Sequence, residues 1–231
     1  QRGGQILLDT PVNGMTQGEN GRLTLTTSAG QIEYDRVLAT TSPHLLSRLA
    51  PELPADYLGQ LLNLKSRGAV VMTLALERPF PPAPLPYWLN IPANSPDKSQ
   101  SSVPFLALVE HTNYVSSTHY GGDHIVYCGD YVTPDHTYFQ MSDAELVSLF
   151  TGVLTQFNPD FRPDWVRRSW VFREKYAQPV PLLNHSANIP DITTPLPGLY
   201  FASMSQVYPW DRGTNYAVEI GRRAARLMEE A

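Results

Sequence analysis

The chain has 231 residues, a formal net charge of −5 and hydrophobic side chains at 42% of its positions. That length and that hydrophobic content are enough for a globular protein with a substantial core. The acidic balance provides no broad basic surface for nucleic acid or for an anionic membrane, so we expect neither partner. A single cysteine, Cys128, excludes an intramolecular disulfide and favours a reducing, cytoplasmic location. No apolar run approaches the roughly 20 residues of an integral membrane segment.

The first part of the chain has the pattern of short strands joined by tight turns. Alternation predicts strands at 5–8, 23–27 and 31–34, and the glycines between them favour the turns of a β-meander. A further strand, 37–40, runs into Ser42 and Pro43, after which leucines at helical spacing indicate a helix.

The middle of the chain has the pattern of a second sheet with one helix. The run 69–76 predicts a strand buried on both faces, and further strands are predicted at 105–110 and 124–131. Ser142 and Glu145 form a capping-box pattern ahead of an apolar helical face. Between the first two strands, a proline cluster and a polar stretch at 94–102 predict a surface excursion; the prolines are Pro79, Pro81, Pro82, Pro84 and Pro86.

The end of the chain combines a strand, a glycine-containing loop and a helix. We expect a strand at 165–172, irregular chain at 176–197, a closing strand at 198–203 and a helix that begins after 211–215. Such a helix start presents unsatisfied N–H groups and the positive end of the helix dipole, which favour an anion or an electron-rich ring edge. The alternative is an ordinary helix start capped by Thr214 or Asn215.

A second candidate site lies at the end of the strand at 105–110. Glu110, His111 and Asn113 place a carboxylate, an imidazole and an amide together, which suits proton transfer or hydrogen bonding to a substrate. Alternation directs Glu110 and Thr112 to one face, and His111 and Asn113 to the other. The alternative is a strand end that satisfies its own loop. The other histidines and aspartates follow no metal-ligand spacing, so no metal site is predicted.

Three segments resemble the superfamily of flavin amine oxidases, protoporphyrinogen oxidases and phytoene desaturases. The first is 8–43, which ends in the residues YDRVLATTSP; the second is 173–181, with YAQPVP; the third is 198–227, with the closing strand and helix. Their order resembles the C-terminal two thirds of such proteins.

The resemblance implies the C-terminal portion of an FAD-dependent oxidoreductase with non-covalent FAD. Its fold class would be α+β, with an α/β remnant of the FAD domain and a mixed-sheet substrate domain in two lobes. Gly213, Thr214 and Asn215 would lie at the N1 and C2 edge of the flavin, where negative charge accumulates on reduction. The other cofactor-binding residues that it implies are Val12, Thr40, Ser203, Met204 and Arg212. The substrate contacts that it implies are Tyr176, Gln178, Tyr208 and Trp210.

The sequence departs from this family at two places. It contains no G-x-G-x-x-G after a strand, so the pyrophosphate cradle of a Rossmann domain is missing. Because the chain also begins without Met, we expect a fragment whose partner is an N-terminal FAD-binding segment of the same protein, and which alone binds FAD weakly or not at all. In addition, Ser203-Met204-Ser205 stands where the family commonly has Gly and an acidic residue, and a hydroxyl would replace the carboxylate.

We therefore predict a rear part of an FAD-binding domain at 1–56, a substrate-binding domain at 57–190, and the closing strand and helix of the FAD-binding domain at 191–231. The predicted function is oxidation of a small organic substrate by hydride transfer to flavin. Two alternatives remain open. One is a non-redox, flavin-dependent enzyme similar to a sugar mutase, and the other is a non-catalytic β-rich binding module.

Overall fold

The computed structural model describes residues 3–80, 87–95 and 101–230. The chain divides into two compact units, the first formed by 1–65 with 179–231 and the second by 66–178. Four prolines of the predicted excursion, within 81–86, and its polar part at 96–100 lie outside the described residues.

The first unit begins with a three-stranded antiparallel meander. Its strands are β1 (Val12–Gln17), β2 (Leu23–Thr27) and β3 (Gly30–Tyr34), paired in the order β1-β2-β3. The strand predicted at 5–8 is wrong, because those residues form no strand and the side chains of Ile6 and Leu8 are 84% and 79% exposed. The meander offers them no partner, because β1 already pairs along the whole of β2, from Gln17 opposite Leu23 to Val12 opposite Thr27.

Two parallel strands form the centre of the first unit. In β4 (Val37–Ala39) and β10 (Leu199–Phe201), Val37 pairs with Leu199 and Ala39 with Phe201. One face of this pair packs against the buried side chains of α1 (Pro43–Leu49) and α2 (Ala55–Asn63). The other face packs against α4 (Thr214–Glu230). Parallel strands need this cover because βαβ-type sheets are buried on both faces.

The boundaries of the units differ from the predicted 56/57 and 190/191. Helix α2 belongs to the first unit because its Tyr57 and Leu61 side chains are buried in the same core as Leu46 and Phe201. The hydroxyl of Tyr57 also donates to the backbone oxygen of Asp191 at 2.8 Å. The chain therefore leaves the first unit after residue 65 and re-enters it at 179. The assignment of the units as cofactor and substrate domains stays a prediction.

The second unit is built on a five-stranded sheet. Its strands follow the order β6-β7-β8-β5-β9, where the pairs β6–β7, β7–β8 and β8–β5 are antiparallel. The strands are β5 (Lys65–Leu76), β6 (Trp88–Asn90), β7 (Ala107–Glu110), β8 (His124–Val132) and β9 (Val166–Val180). Helix α3 (Asp143–Thr151) packs Leu146 and Phe150 on one face of this sheet, and Cys128 is fully buried in the same core.

Two strands of the second unit differ from their predictions. β5 is not buried on both faces throughout, because burial alternates from Gly68 to Leu74 and only its end, Leu74–Leu76, is buried continuously. β9 extends to Val180 and includes residues expected to be irregular. It is the edge strand of the sheet, where Pro179 removes no obligatory hydrogen bond.

Among the residues that the structure describes, no helix is long and apolar enough to cross a bilayer.

Candidate functional site

The carboxyl ends of β4 and β10 bring two predicted cofactor residues to the same edge. The parallel pairing continues past the strands, since the N–H of Ala202 donates to the oxygen of Ala39 at 3.0 Å. Thr40 and Ser203 follow these two residues directly, and Thr40 is exposed. In open α/β sheets, ligands bind outside the carboxyl ends of the strands. The edge therefore offers two hydroxyl groups where such a ligand would lie.

The loop after β10 is fixed by its own hydrogen bonds. The Ser203 hydroxyl accepts from the N–H of Ser205 at 3.3 Å, and Gln206 Oε1 accepts from the N–H of Ser203 at 2.7 Å. This capping box starts a single 3-10 turn that contains Met204. The Gln206 amide also donates to the oxygen of Pro190 at 3.0 Å. A hydroxyl has one hydrogen and two lone pairs, so Ser203 still has its hydrogen for a ligand.

The start of α4 is the third element of this candidate cofactor site. The N–H of Ala217 donates to the oxygen of Gly213 at 2.9 Å, so Gly213 immediately precedes the helix. The N–H groups of Thr214 and Asn215, in the first turn, have no acceptor within the described part of the chain. A Cβ added to Gly213 would lie 2.7 Å from Oδ1 of Asn215. Glycine therefore lets Asn215 keep its position and leaves the N–H groups of this turn uncovered. The geometry suits an electron-rich group on the helix axis.

Two other predicted cofactor residues have different surroundings. Arg212 is exposed, and its N–H is held by Oδ1 of Asp211 at 2.7 Å. Val12 lies at the start of β1 and packs against the core that contains Ala39 and Phe201. The roles of both residues toward a cofactor stay predictions.

The second candidate site has a different local structure from the one predicted. Glu110 ends β7, but His111–Asn113 form a 3-10 helix, so the expected alternation of side chains between two faces is wrong. The chain turns there because β7 has finished its pairing with β8 at Glu110 and Val126. Glu110 is 1% exposed, whereas Asn113 is exposed.

Glu110 is enclosed by polar neighbours inside the second unit. The Thr112 hydroxyl donates to Glu110 Oε1 at 3.1 Å, and His124 Nδ1 lies 3.9 Å from the same oxygen. Burial raises the pKa of Glu110, and hydrogen bonds from Thr112 and the Phe80 backbone only partly oppose this. Burial lowers the pKa of His124, against the opposing charge of Asp123. The pair is therefore held toward its neutral forms.

His111 contacts a group of tyrosines that the sequence did not indicate. Its Nε2 lies 2.6 Å from the Tyr120 hydroxyl, and its ring packs edge-on against Tyr120 and Tyr127 at centroid distances of 5.3 and 5.5 Å. Tyr120 follows His111 by nine residues and lies in a separate 3-10 helix, Ser117–Tyr120, and no periodicity links two such positions. The signal available was only the density of tyrosines near Gly121 and Gly122.

The predicted substrate residues are divided between the two units. Tyr176 and Gln178 lie in β9, within the second unit. Tyr208 and Trp210 line a cavity of about 240 Å³ in the first unit, together with a stripe of α4 and the segment 189–192. The stripe contributes Tyr216, Glu219, Arg223 and Arg226, of which the sequence indicated none as a ligand contact. Their helical spacing was the signal that could have found them.

Among the described residues, no group of three or more His, Cys, Asp or Glu side chains could hold a metal ion. The fold is that of an α+β protein with two units. The first unit, with parallel strands covered by helices, is built like part of an open α/β sheet.

A family model described as flavin containing amine oxidoreductase matches residues 1–228. The chain therefore belongs to that family, as its three family-like segments predicted. A search of curated protein sequences found no match.

Solved structures give the same fold at low sequence identity. A protein assigned as a protoporphyrinogen oxidase from Exiguobacterium sp. 255-15 superposes with a TM-score of 0.74 at 16% identity, over 98% of this chain and 48% of the other. Putrescine oxidase bound to putrescine gives 0.66 at 15% identity, over 98% and 50%. An oxidoreductase from Methanosarcina mazei gives 0.55 at 17% identity, over 85% and 44%. The chain thus spans about half the length of these structures.

Proposed function

We propose that this chain forms one wall of the flavin site and the substrate-binding unit of an FAD-dependent oxidoreductase. The observation that supports the proposal is the in-register parallel pairing of β4 with β10, which brings Thr40 and Ser203 to the same edge of the two strands. Open α/β sheets bind their ligands outside such an edge. The family match supports flavin as the ligand. When bound, FAD would supply the acceptor for a hydride that leaves the substrate.

The groups of the first unit have the chemistry to hold a flavin. The free N–H groups of Thr214 and Asn215 would face the ring edge that becomes negative, and Gly213 adds no side chain between them. The hydroxyls of Thr40 and Ser203 would hydrogen-bond the polar chain of the cofactor, and Met204 and Arg212 would border it. These contacts would orient the ring and stabilise its charge, and none of them would transfer a proton.

We propose that the pyrophosphate cradle comes from an N-terminal FAD-binding segment that pairs with β4. The outer edge of β10 is covered, because the N–H of Phe201 donates to the oxygen of Ile192 at 2.7 Å. Within the described residues, β4 pairs on one side only. Two parallel strands are too few for a stable sheet, and this edge is the place for a further strand.

In the second unit, we propose His111 and Asn113 as the groups that meet the substrate, with Glu110 behind them. Asn113 is exposed and can donate or accept a hydrogen bond. Glu110 is too deeply buried to touch a substrate directly, so a proton from it would pass through Thr112 or His124. Tyr176 and Gln178 are proposed as further substrate contacts.

The flavin proposal is tested by blocking the strand ends in the protein that carries its FAD-binding segment. Thr40→Trp fills the edge after β4 and should lower the bound FAD per protein, measured by absorbance and by release on acid precipitation. Thr16→Trp places the same side chain on exposed β1 and should leave the FAD content unchanged. Equal FAD content in both variants, or a parent protein without flavin, would show that this edge is no flavin site.

A further inference from the structure

The cavity beside α4 combines aromatic rings with two arginines on a fixed wall. Tyr216, Glu219, Arg223 and Arg226 follow one another at intervals of three or four residues, so they form a single stripe along the helix. The opposite wall is the segment 189–192, which closes a volume of about 240 Å³.

The walls of this cavity are held in place by hydrogen bonds to buried or half-buried groups. The Tyr57 hydroxyl donates to the oxygen of Asp191 at 2.8 Å, and the Gln206 amide donates to the oxygen of Pro190 at 3.0 Å. Both bonds act on the wall that faces α4. The cavity is therefore preformed, which lowers the ordering cost of binding.

One end of the cavity is formed by a stacked pair of aromatic rings. The rings of Trp210 and Tyr216 are stacked at a centroid distance of 6.2 Å and an interplanar angle of 8°. Tyr208 stands beside them, with its ring edge-on to His185 at 5.3 Å. Trp210 is 62% exposed, so the face of its ring that Tyr216 does not cover is available to a planar ring.

The other end carries positive charge that the protein does not use. In the described part of the chain, neither Arg223 nor Arg226 forms an ion pair or a side-chain hydrogen bond. They are three residues apart on one helix face, and guanidinium groups so placed can bind one carboxylate or phosphate together. Glu219 and Asp191 also line the cavity. Because their carboxylates repel additional negative charge, the cavity favours a monoanion with a hydrogen-bond donor over a polyanion.

We propose that this cavity binds a small planar aromatic acid, with its ring on the free face of Trp210 and its anionic group on Arg223 and Arg226. The inference deepens the proposed function, because it names a ligand class for the substrate residues Tyr208 and Trp210. Only the statement that the ligand is the enzyme's substrate rests on the proposed function. The binding itself needs no flavin.

The test is titration of the whole 231-residue chain, without flavin, with 2-naphthoate by calorimetry and tryptophan fluorescence. 2-Naphthyl phosphate distinguishes a phosphate from a carboxylate, 2-naphthylmethanol is the neutral analogue, and cyclohexanecarboxylate is the non-planar acid. We expect the aromatic acids to bind at least about tenfold more tightly than the alcohol, because only they reach both arginines.

Two matched pairs of variants complete the test. Arg223→Gln with Arg226→Gln should remove the preference for the acid, whereas Arg222→Gln, on the exposed side of α4, should keep it. Trp210→Ala should weaken all aromatic probes, whereas Trp170→Ala in the second unit should not. Equal binding of acid and alcohol, equal effects of the arginine variants, or no binding of any probe would overturn the proposal. Flavin content is measured separately, so these outcomes leave the flavin site untouched.

Discussion

At the scale of single residues, Gly213 matters because it leaves the first turn of α4 uncovered, and not because of its backbone angle. It has no positive φ, but an added Cβ would lie 2.7 Å from Oδ1 of Asn215. A side chain there would push Asn215 aside and cover the free N–H groups of the first turn. If those groups face a flavin, the loss would be felt when charge appears on the ring.

We predict that Gly213→Val lowers the reduction potential of the bound flavin. A loss of about 1.5 to 3 kcal/mol in stabilisation of the reduced ring corresponds to about 30 to 65 mV for two electrons, and to a reductive half-reaction slower by one to two orders of magnitude. Redox-dye titration measures the potential and anaerobic stopped-flow the rate.

The matched control is Gly221→Val in the middle of α4, where an added Cβ meets nothing within 4 Å. It should retain the potential of the parent protein. If Gly213→Val also retains potential, reduction rate and FAD content, then Gly213 is only a helix-start glycine.

The buried carboxyl of Glu110 predicts a pH-dependent stability. Because burial raises its pKa above the ordinary value of 4.5, the folded chain holds the Glu110 proton more tightly than the unfolded chain. Stability from this group is therefore complete below pH 4.5 and falls as pH rises through the folded pKa. Glu110→Gln stays neutral and keeps an acceptor for Thr112, so its melting temperature should rise relative to the parent as pH increases from 4 to 8.

Circular dichroism at several pH values gives these melting temperatures. Glu19→Gln, in an exposed turn, should show no such gain. A constant difference between Glu110→Gln and the parent across this range would mean that folding does not raise the pKa of this carboxyl.

At the scale of secondary-structure elements, helix α3 depends on a complete capping box. The Ser142 hydroxyl accepts from the N–H of Glu145 at 3.3 Å, and the Glu145 carboxylate accepts from the N–H and the hydroxyl of Ser142, each at 2.7 Å. These bonds lower the pKa of Glu145, and the bond from the Ser142 hydroxyl has the larger effect. They hold the helix start that positions Leu146 and Phe150 in the core.

We predict that Ser142→Ala lowers the free energy of unfolding of the second unit by about 0.5 to 2 kcal/mol. Urea denaturation followed by circular dichroism measures it. Ser148→Ala, at an exposed position inside the same helix, should be neutral or stabilising because alanine has the higher helix propensity. Similar losses for both variants would show that the cap contributes nothing.

At the scale of the whole molecule, the first unit contains both ends of the chain and the second unit lies between them in sequence. The chain supplies a helix start and two strand ends for a flavin, but no glycine-rich cradle for its pyrophosphate. We predict that this chain alone purifies colourless, whereas the protein with its FAD-binding segment is yellow and releases FAD on acid precipitation. Binding of FAD to the isolated chain at sub-micromolar affinity, measured by fluorescence titration, would contradict the proposed division of the site.

The sequence by itself determined the features that depend on local chemistry. The capping box of α3, the turn glycines of the meander and the closing strand are encoded within a few neighbouring residues, so their patterns predicted them. Resemblance in three ordered segments was also enough to predict the family.

Tertiary structure decided what depends on residues far apart in sequence. The family resemblance put Val37–Ala39 and Leu199–Phe201 in one domain, but their parallel register across about 160 intervening residues is encoded by no local pattern. Only packing put Tyr57 and Leu61 into the core of the first unit and so moved its boundary beyond α2. Burial decided that Glu110 is enclosed with Thr112 and His124, because exposure is set by what packs around a strand end and not by the strand's own period.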